Sequence, residues 1–144
     1  MAETIKCFAP VDGKLYASRP VASKKEIAAA FSLAHAAQEK WRRVPLKERA
    51  AFCSAAVDAM LAMKDEIVPE LAWQMGRPIR YGAGELRGFE ERARHMIAIA
   101  DESLANHVPA AKEGFTRFIS REPWGVVFTI APWNYPYLTA VNSV

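Results

Sequence analysis

The run Val126-Val127-Phe128-Thr129-Ile130, followed by Ala131-Pro132-Trp133-Asn134-Tyr135-Pro136, constrains this chain more than any other stretch. A continuous apolar run rich in β-branched residues reads as a strand buried on both faces of a parallel sheet. Such a strand needs neighbours, because one central strand cannot make a sheet. The preceding residues offer few. Pro132 fixes the turn after the strand, and Pro136 suits the first turn of a helix. The segment therefore reads as strand, turn, helix start. In doubly wound sheets that turn, at the carboxyl end of a strand, is where ligands bind.

The residues before it are mostly helical in pattern. Residues 7–21 carry an Asp12-Gly13 turn between two short runs of strand character, a hairpin or extended arm. Ser23-Lys24-Lys25-Glu26 is a capping box at a helix start. Ile27, Phe31, Ala34 and Trp41 then share one helical face. Pro45 opens a second helix with a buried stripe of Leu46, Cys53, Val57, Met60 and Leu61. Asp65 is positioned to cap a third helix, with Pro69 near its start and Gly76 as a left-handed cap at its end. A long helix is expected from about 79 to 106. Gly82, Gly84 and Gly88 weaken it, which implies close packing of another element. Residues 109–114 read as a linker. The period changes to strand from Phe115 to Arg121, which the bare sequence reads as an edge strand.

Composition bounds the function. The 144 residues are 51% hydrophobic and 24% charged, the balance of an ordinary globular domain. Nineteen basic against sixteen acidic side chains leave +3, too little to argue for nucleic acid. The basic residues also alternate with acids, as in Arg87–Arg94, like a solvated helix face. No apolar run reaches membrane-spanning length. Cys7 and Cys53 make no disulfide framework, so a reducing cytoplasm is the expected setting. Both thiols read as inert, Cys53 as a small buried hydrophobe. His35, His95 and His107 lack ligand spacing, so no metal is expected. The Gly82, Gly84, Gly88 series sits inside a helix rather than after a strand, which removes a phosphate-binding reading. Glu85 and the Glu90-Glu91 pair read as exposed or salt-bridged.

Alone, Asn134 between Trp133 and Tyr135 would be an ordinary turn residue. The whole run Pro123-Trp124-Gly125-Val126-Val127 through Ile130-Ala131-Pro132-Trp133-Asn134-Tyr135-Pro136 resembles the signature of the NAD(P)-dependent aldehyde dehydrogenases. The resemblance extends along the chain, through Pro10-Val11-Asp12-Gly13, Trp41, Glu48-Arg49-Ala50, Gly76-Arg77-Pro78 and Glu85, in family order and at similar spacing. Gln74 stands where the family usually has Glu, at a position that is not catalytic.

The resemblance implies an α/β fold, aldehyde dehydrogenase-like. Residues 1–114 would form an amino-terminal helical layer with its hairpin. Residues 115–125 would form an oligomerisation arm, and 126–144 the first strand of a Rossmann-like parallel sheet with the start of the next helix. It implies NAD(P)-dependent oxidation of an aldehyde, or a semialdehyde, to the carboxylic acid through a cysteine thiohemiacetal. Asn134 would be the catalytic oxyanion donor. Ile130, Ala131, Pro132 and Trp133 would line the NAD or NADP site. Tyr135, Thr139 and Asn142 would line the substrate tunnel. The partners implied are a small aldehyde and further copies of the chain, as a dimer or tetramer.

The family's glycine-flanked nucleophilic Cys, its general-base Glu and its adenosine-binding residues do not occur within residues 1–144. Thiolate attack, hydride transfer and thioester hydrolysis need them. The closing L-T-A-V-N-S-V has no cap and reads as a helix cut midway. The expectation is an amino-terminal part that is inactive alone. The alternative is a non-catalytic fragment that only binds or assembles. The CoA-acylating branch of the superfamily is a third reading, which Pro132-Trp133-Asn134-Tyr135-Pro136 fits less well.

Overall fold

Asp12 and Gly13 turn the chain back on itself. In the computed structural model, which describes residues 3–144, β1 (Thr4–Phe8) and β2 (Leu15–Pro20) pair antiparallel, with Cys7 opposite Ala17. Gly13 sits at φ 71, a backbone region that costs glycine little. Its N–H donates to the Ala9 carbonyl at 2.8 Å, and the Lys14 N–H donates to Asp12 Oδ1 at 3.0 Å. The expected hairpin is therefore present. Helices follow: α1 (Lys24–Trp41), α2 (Leu46–Ala62), α3 (Lys64–Met75), α4 (Ile79–Ala98), α5 (Ala100–Leu104) and α6 (Pro136–Ala140).

The capping box at α1 forms as read. The Glu26 N–H donates to Ser23 Oγ at 3.2 Å, and the Ser23 N–H donates to Glu26 Oε2 at 2.7 Å. The helix's apolar face does not pack as read. Ile27 and Phe31 are exposed, and α1 has no buried residue. Its alanine-rich sequence and its cap maintain it locally, while Trp41 tilts against Phe52 of α2 at 5.7 Å between ring centroids.

The core lies where α2, α3, α4 and α6 meet. Ile67, Leu71 and Leu86 are buried there, with Met60, Leu61, Val68, Met75 and Tyr137 packed around them. Val57 is buried too. Cys53 departs from its expected place and is exposed. On that turn α4 meets α2 through Arg94, which reaches the Ser54 carbonyl and hydroxyl and the Asp58 carboxylate. The contact face therefore passes through Ser54 rather than Cys53.

Helix α3 begins at Lys64, so Asp65 lies in its first turn instead of capping it, and Pro69 lies inside it. Proline there removes one helical hydrogen bond; buried Ile67 and Leu71 on either side hold the helix in place. Gly76 ends α3 as expected, at φ 76, with its N–H on the Ala72 carbonyl. A Cβ at Gly76 would also come within 3.0 Å of Pro10, at the hairpin. The expected helix from 79 to 106 is interrupted at Ile99, between α4 and α5.

Two of the three glycines in α4 do mark close approaches. A Cβ at Gly82 would stand 2.8 Å from Val68 of α3, and one at Gly88 would stand 3.0 Å from Leu138 of α6. Among the described residues, Val126–Ile130 has no ladder partner, and Phe128 and Ile130 are 86% and 80% exposed. The 115–121 segment makes only isolated bridges, His107 with Ile119 and Lys112 with Phe115.

Two predictions follow from this packing. Gly82→Ala forces a methyl into Val68 and is expected to lower folding stability by about 1–3 kcal/mol, read by urea unfolding; an unchanged midpoint would sink the close approach. The second concerns Tyr16, which donates to Glu70 Oε1 at 2.6 Å and stacks on Trp73, tying the hairpin to α3. The Tyr16 hydroxyl first, and the Gln74 amide second, hold the Glu70 carboxyl below its ordinary 4.5. A depressed folded-state value adds stability above the unfolded value, and that stability is lost as pH falls through the folded one. Tyr16→Phe should therefore lower the melting temperature at pH 7, with the gap to wild type closing as pH drops below 4.5. A gap that persists at low pH would contradict it.

Candidate functional site

The turn from Ala131 to Pro136 is held in place by side chains of the helical layer. Pro136 is the first residue of α6, where a missing N–H is harmless. The next amide, that of Tyr137, donates to Glu85 Oε1 at 2.9 Å. Glu85 belongs to α4 and is 1% exposed. Its carboxylate thus caps the positive end of α6. Its other oxygen, Oε2, pairs with Arg77 Nη1. Arg77 Nη2 donates in turn to the backbone carbonyl of Asn134. The same guanidinium lies 4.2 Å from the centre of the Tyr135 ring, a cation–π contact.

Local sequence explains how Arg77 gets there. Gly76 terminates α3 in a left-handed conformation, and Pro78 caps the start of α4. The linker Gly76-Arg77-Pro78 therefore crosses between the two helices and carries Arg77 beneath the turn. A guanidinium suits this place because its rigid fork serves two acceptors at once. Tyr137, packed against the core, has its phenol pushed up from 10.0 by burial first and by the Glu85 and Glu70 charges second. It stays protonated at neutral pH.

An open cleft of about 580 Å³ lies between the linker, the first turns of α4 and the turn residues Trp133, Asn134 and Tyr135. A second, of about 390 Å³, lies on the other side of Trp133, against Glu70, Gln74, Ala131, Pro132 and Tyr137. Among the described residues no partner is found for the Asn134 side-chain amide, and Asn134 is exposed. Trp133, 77% exposed, borders both clefts.

The structure thus groups Trp133, Asn134 and Tyr135 at one cleft, and Ala131, Pro132 and Trp133 at the other. Ile130 is exposed and borders neither. Thr139 and Asn142 follow Tyr135 at helical spacing but also border neither cleft. Asn142 Nδ2 donates to the Thr139 carbonyl, and its Oδ1 accepts from Arg92 of α4, both at 3.2 Å. Asn142 therefore ties the end of α6 to the helical layer. Among the described residues no group of three His, Cys, Asp or Glu is placed to hold a metal ion.

Sequence reasoning treated Glu85 as a surface or salt-bridging residue. Its salt bridge exists, but the residue is buried and supports the turn. The available signal was its spacing, a carboxylate three residues from Gly82 and three from Gly88, the helix face where small residues admit close neighbours.

The turn and the helices that brace it are those of a known class. The profile of the aldehyde dehydrogenase family matches residues 1–144, and the chain belongs to that family. It is 30% identical over 99% of its length to an NADP-dependent glyceraldehyde-3-phosphate dehydrogenase from Streptococcus equinus, of which it covers 31%. It is 32% identical over 98% of its length to a 3,6-anhydro-alpha-L-galactose dehydrogenase from Streptomyces coelicolor, of which it covers 28%. The crystal structure of an NADP-dependent glyceraldehyde-3-phosphate dehydrogenase from Bacillus halodurans, complexed with NADP, superposes with a TM-score of 0.85 at 28% identity. That match covers 96% of this chain and 30% of the other. The chain thus spans about a third or less of the length of the relatives it matches. The aldehyde dehydrogenase-like fold read from the sequence is the fold of these neighbours.

One prediction tests the support under the turn. Removing one member of a buried ion pair leaves the other charge uncompensated, at a cost of about 3–5 kcal/mol. Glu85→Ala should show that loss in chemical denaturation, and Glu85→Gln a smaller one. Equal, negligible effects would mean that the pair does not hold the turn.

Proposed function

We propose that this chain is the amino-terminal part of an enzyme that oxidises an aldehyde to its carboxylic acid with NAD or NADP. One observation carries the reading: among the described residues the Asn134 side-chain amide has no partner, while its backbone carbonyl is held by Arg77, itself paired with Glu85. A donor held in place before the reaction is what stabilises negative charge developing on a carbonyl oxygen. Asn134 is then the oxyanion donor.

The dinucleotide supplies the acceptor for hydride from the aldehyde carbon. Ile130, Ala131, Pro132 and Trp133 offer it an exposed, largely apolar edge beside Asn134, suited to the flat face of a nicotinamide. The names of the matched relatives, NADP-dependent in the first and NAD-dependent in a benzaldehyde dehydrogenase from Pseudomonas putida, support either cofactor. Tyr135 borders the cleft; Thr139 and Asn142, which border neither cleft here, would join it in the substrate wall of the complete enzyme.

The same proposal divides the chain into a helical layer with its hairpin (1–114), an oligomerisation arm (115–125), and the first strand and helix start of the cofactor-binding sheet (126–144). It takes the enzyme to be a dimer or tetramer in the cytoplasm, a compartment that suits two free cysteines. No described helix is long and apolar enough to cross a membrane. The exposed run Val126–Ile130 favours one other reading, a chain that acts only by binding or assembly.

The test is Asn134→Ala in the complete enzyme, assayed with propanal, benzaldehyde and glyceraldehyde 3-phosphate and either NAD⁺ or NADP⁺. Loss of one oxyanion donor should lower kcat on the order of a hundredfold or more. An unchanged kcat would contradict the assignment. Absence of any wild-type oxidation would favour the binding reading.

A further inference from the structure

We infer that Arg77 and Glu85 are positioning residues that set the direction in which the Asn134 amide points. The inference rests on the oxyanion reading above and adds to it the device by which the turn is aimed.

The two side chains hold the turn at Asn134 and in the residues just after it. Arg77 holds the Asn134 carbonyl and stacks on the ring of Tyr135, and Glu85 holds the Tyr137 amide. Pro136, between them, has no N–H to offer and a fixed φ. The backbone from Asn134 to Tyr137 is thereby fixed at three successive places, and the Asn134 side chain projects from the fixed part. The pair is nearly dry: the Arg77 side chain is 9% exposed and that of Glu85 is fully buried. Burying both charges is costly, and their mutual attraction alone does not explain retaining them. Their remaining hydrogen-bonding capacity goes to two backbone groups of the turn, one acceptor and one donor. That use gives the burial a purpose beyond stability.

Neither side chain needs to touch the aldehyde for this role. An amide displaced by about an ångström is enough to cost a large factor in rate. The effect falls on the transition state, where the oxygen carries charge, more than on the bound aldehyde.

A thermodynamic cycle on kcat, in the complete enzyme, tests the inference. The variant is the neutral pair Arg77→Met with Glu85→Gln, which leaves no uncompensated buried charge. Glu85→Gln alone, which keeps an acceptor for Tyr137 N–H, is the second variant should the pair fail to fold. Each is made in the wild type and in Asn134→Ala, and assayed with the aldehyde of the panel above that the wild type oxidises fastest. The expected result is a fall in kcat of about tenfold or more in the wild type, with KM changed by less than about twofold. In Asn134→Ala the same variants should cost nothing further, because the group they aim is gone. A folded variant with wild-type kcat overturns the inference. So does an equal loss in both backgrounds, which would mark the pair as structural only. If Asn134→Ala itself leaves kcat unchanged, the oxyanion reading fails and takes this inference with it. A loss in Asn134→Ala with no effect from the pair variants defeats the positioning role alone.

Discussion

The buried pair of Arg77 and Glu85 is the interaction on which the rest of the site depends. It joins the linker after α3 and the first turns of α4 to the start of α6, which lies more than 50 residues further along the chain. Without it the turn from Ala131 to Pro136 would be held by apolar contacts of Tyr137 and Leu138 and, from the far end of α6, by the Arg92–Asn142 hydrogen bond. Apolar contacts fix how deeply a segment is buried better than they fix its direction, since the hydrophobic effect is non-directional. Hydrogen bonds to charged groups are directional and stronger. The fold therefore uses packing to dock α6 and charge to orient it.

The helical layer is built to bring that pair to the turn. Gly76 ends α3 where Arg77 must leave it, and the same glycine lets Pro10 of the hairpin approach. Gly82 lets α3 close on α4, and Gly88 lets Leu138 close on α4 from the other side. Bulkier residues there would move α4 away from both neighbours, and Glu85 lies between these two contacts. Tyr16 and Trp73 extend the arrangement outward by tying the hairpin to α3. In this way the packing of small residues in α4 and the placing of Asn134 are one problem.

How much of this was legible in the sequence depends on how local each feature is. The Asp12-Gly13 turn, the Ser23–Glu26 capping box, the Gly76 cap and Pro136 at a helix start are each decided within a few residues, and each is found where the sequence put it. Features that depend on a partner were less legible. The apolar face of α1 is real in pattern, yet no described element covers it. Cys53 lies on the expected stripe, but Arg94 turned the contact toward Ser54. The run Val126–Ile130 has the composition of a central strand and finds no ladder among the described residues. Periodicity states what a segment could bury, while the neighbours decide what it does bury. Glu85 is the sharpest case: a carboxylate on a helix is solvated by default, and only the tertiary arrangement of Arg77 and the α6 amide makes its burial affordable. The role proposed for Asn134 comes from the motif around it rather than from its own chemistry.

In the proposed enzyme, the braced turn presents the Asn134 amide to the oxygen of a bound aldehyde. A crystal structure of the complete enzyme with an aldehyde bound measures this geometry directly. The expected result is the Asn134 side-chain nitrogen at about 2.7–3.1 Å from the carbonyl oxygen, with Arg77 still on the Asn134 backbone carbonyl. An amide turned away from that oxygen and bonded instead within the protein would contradict it.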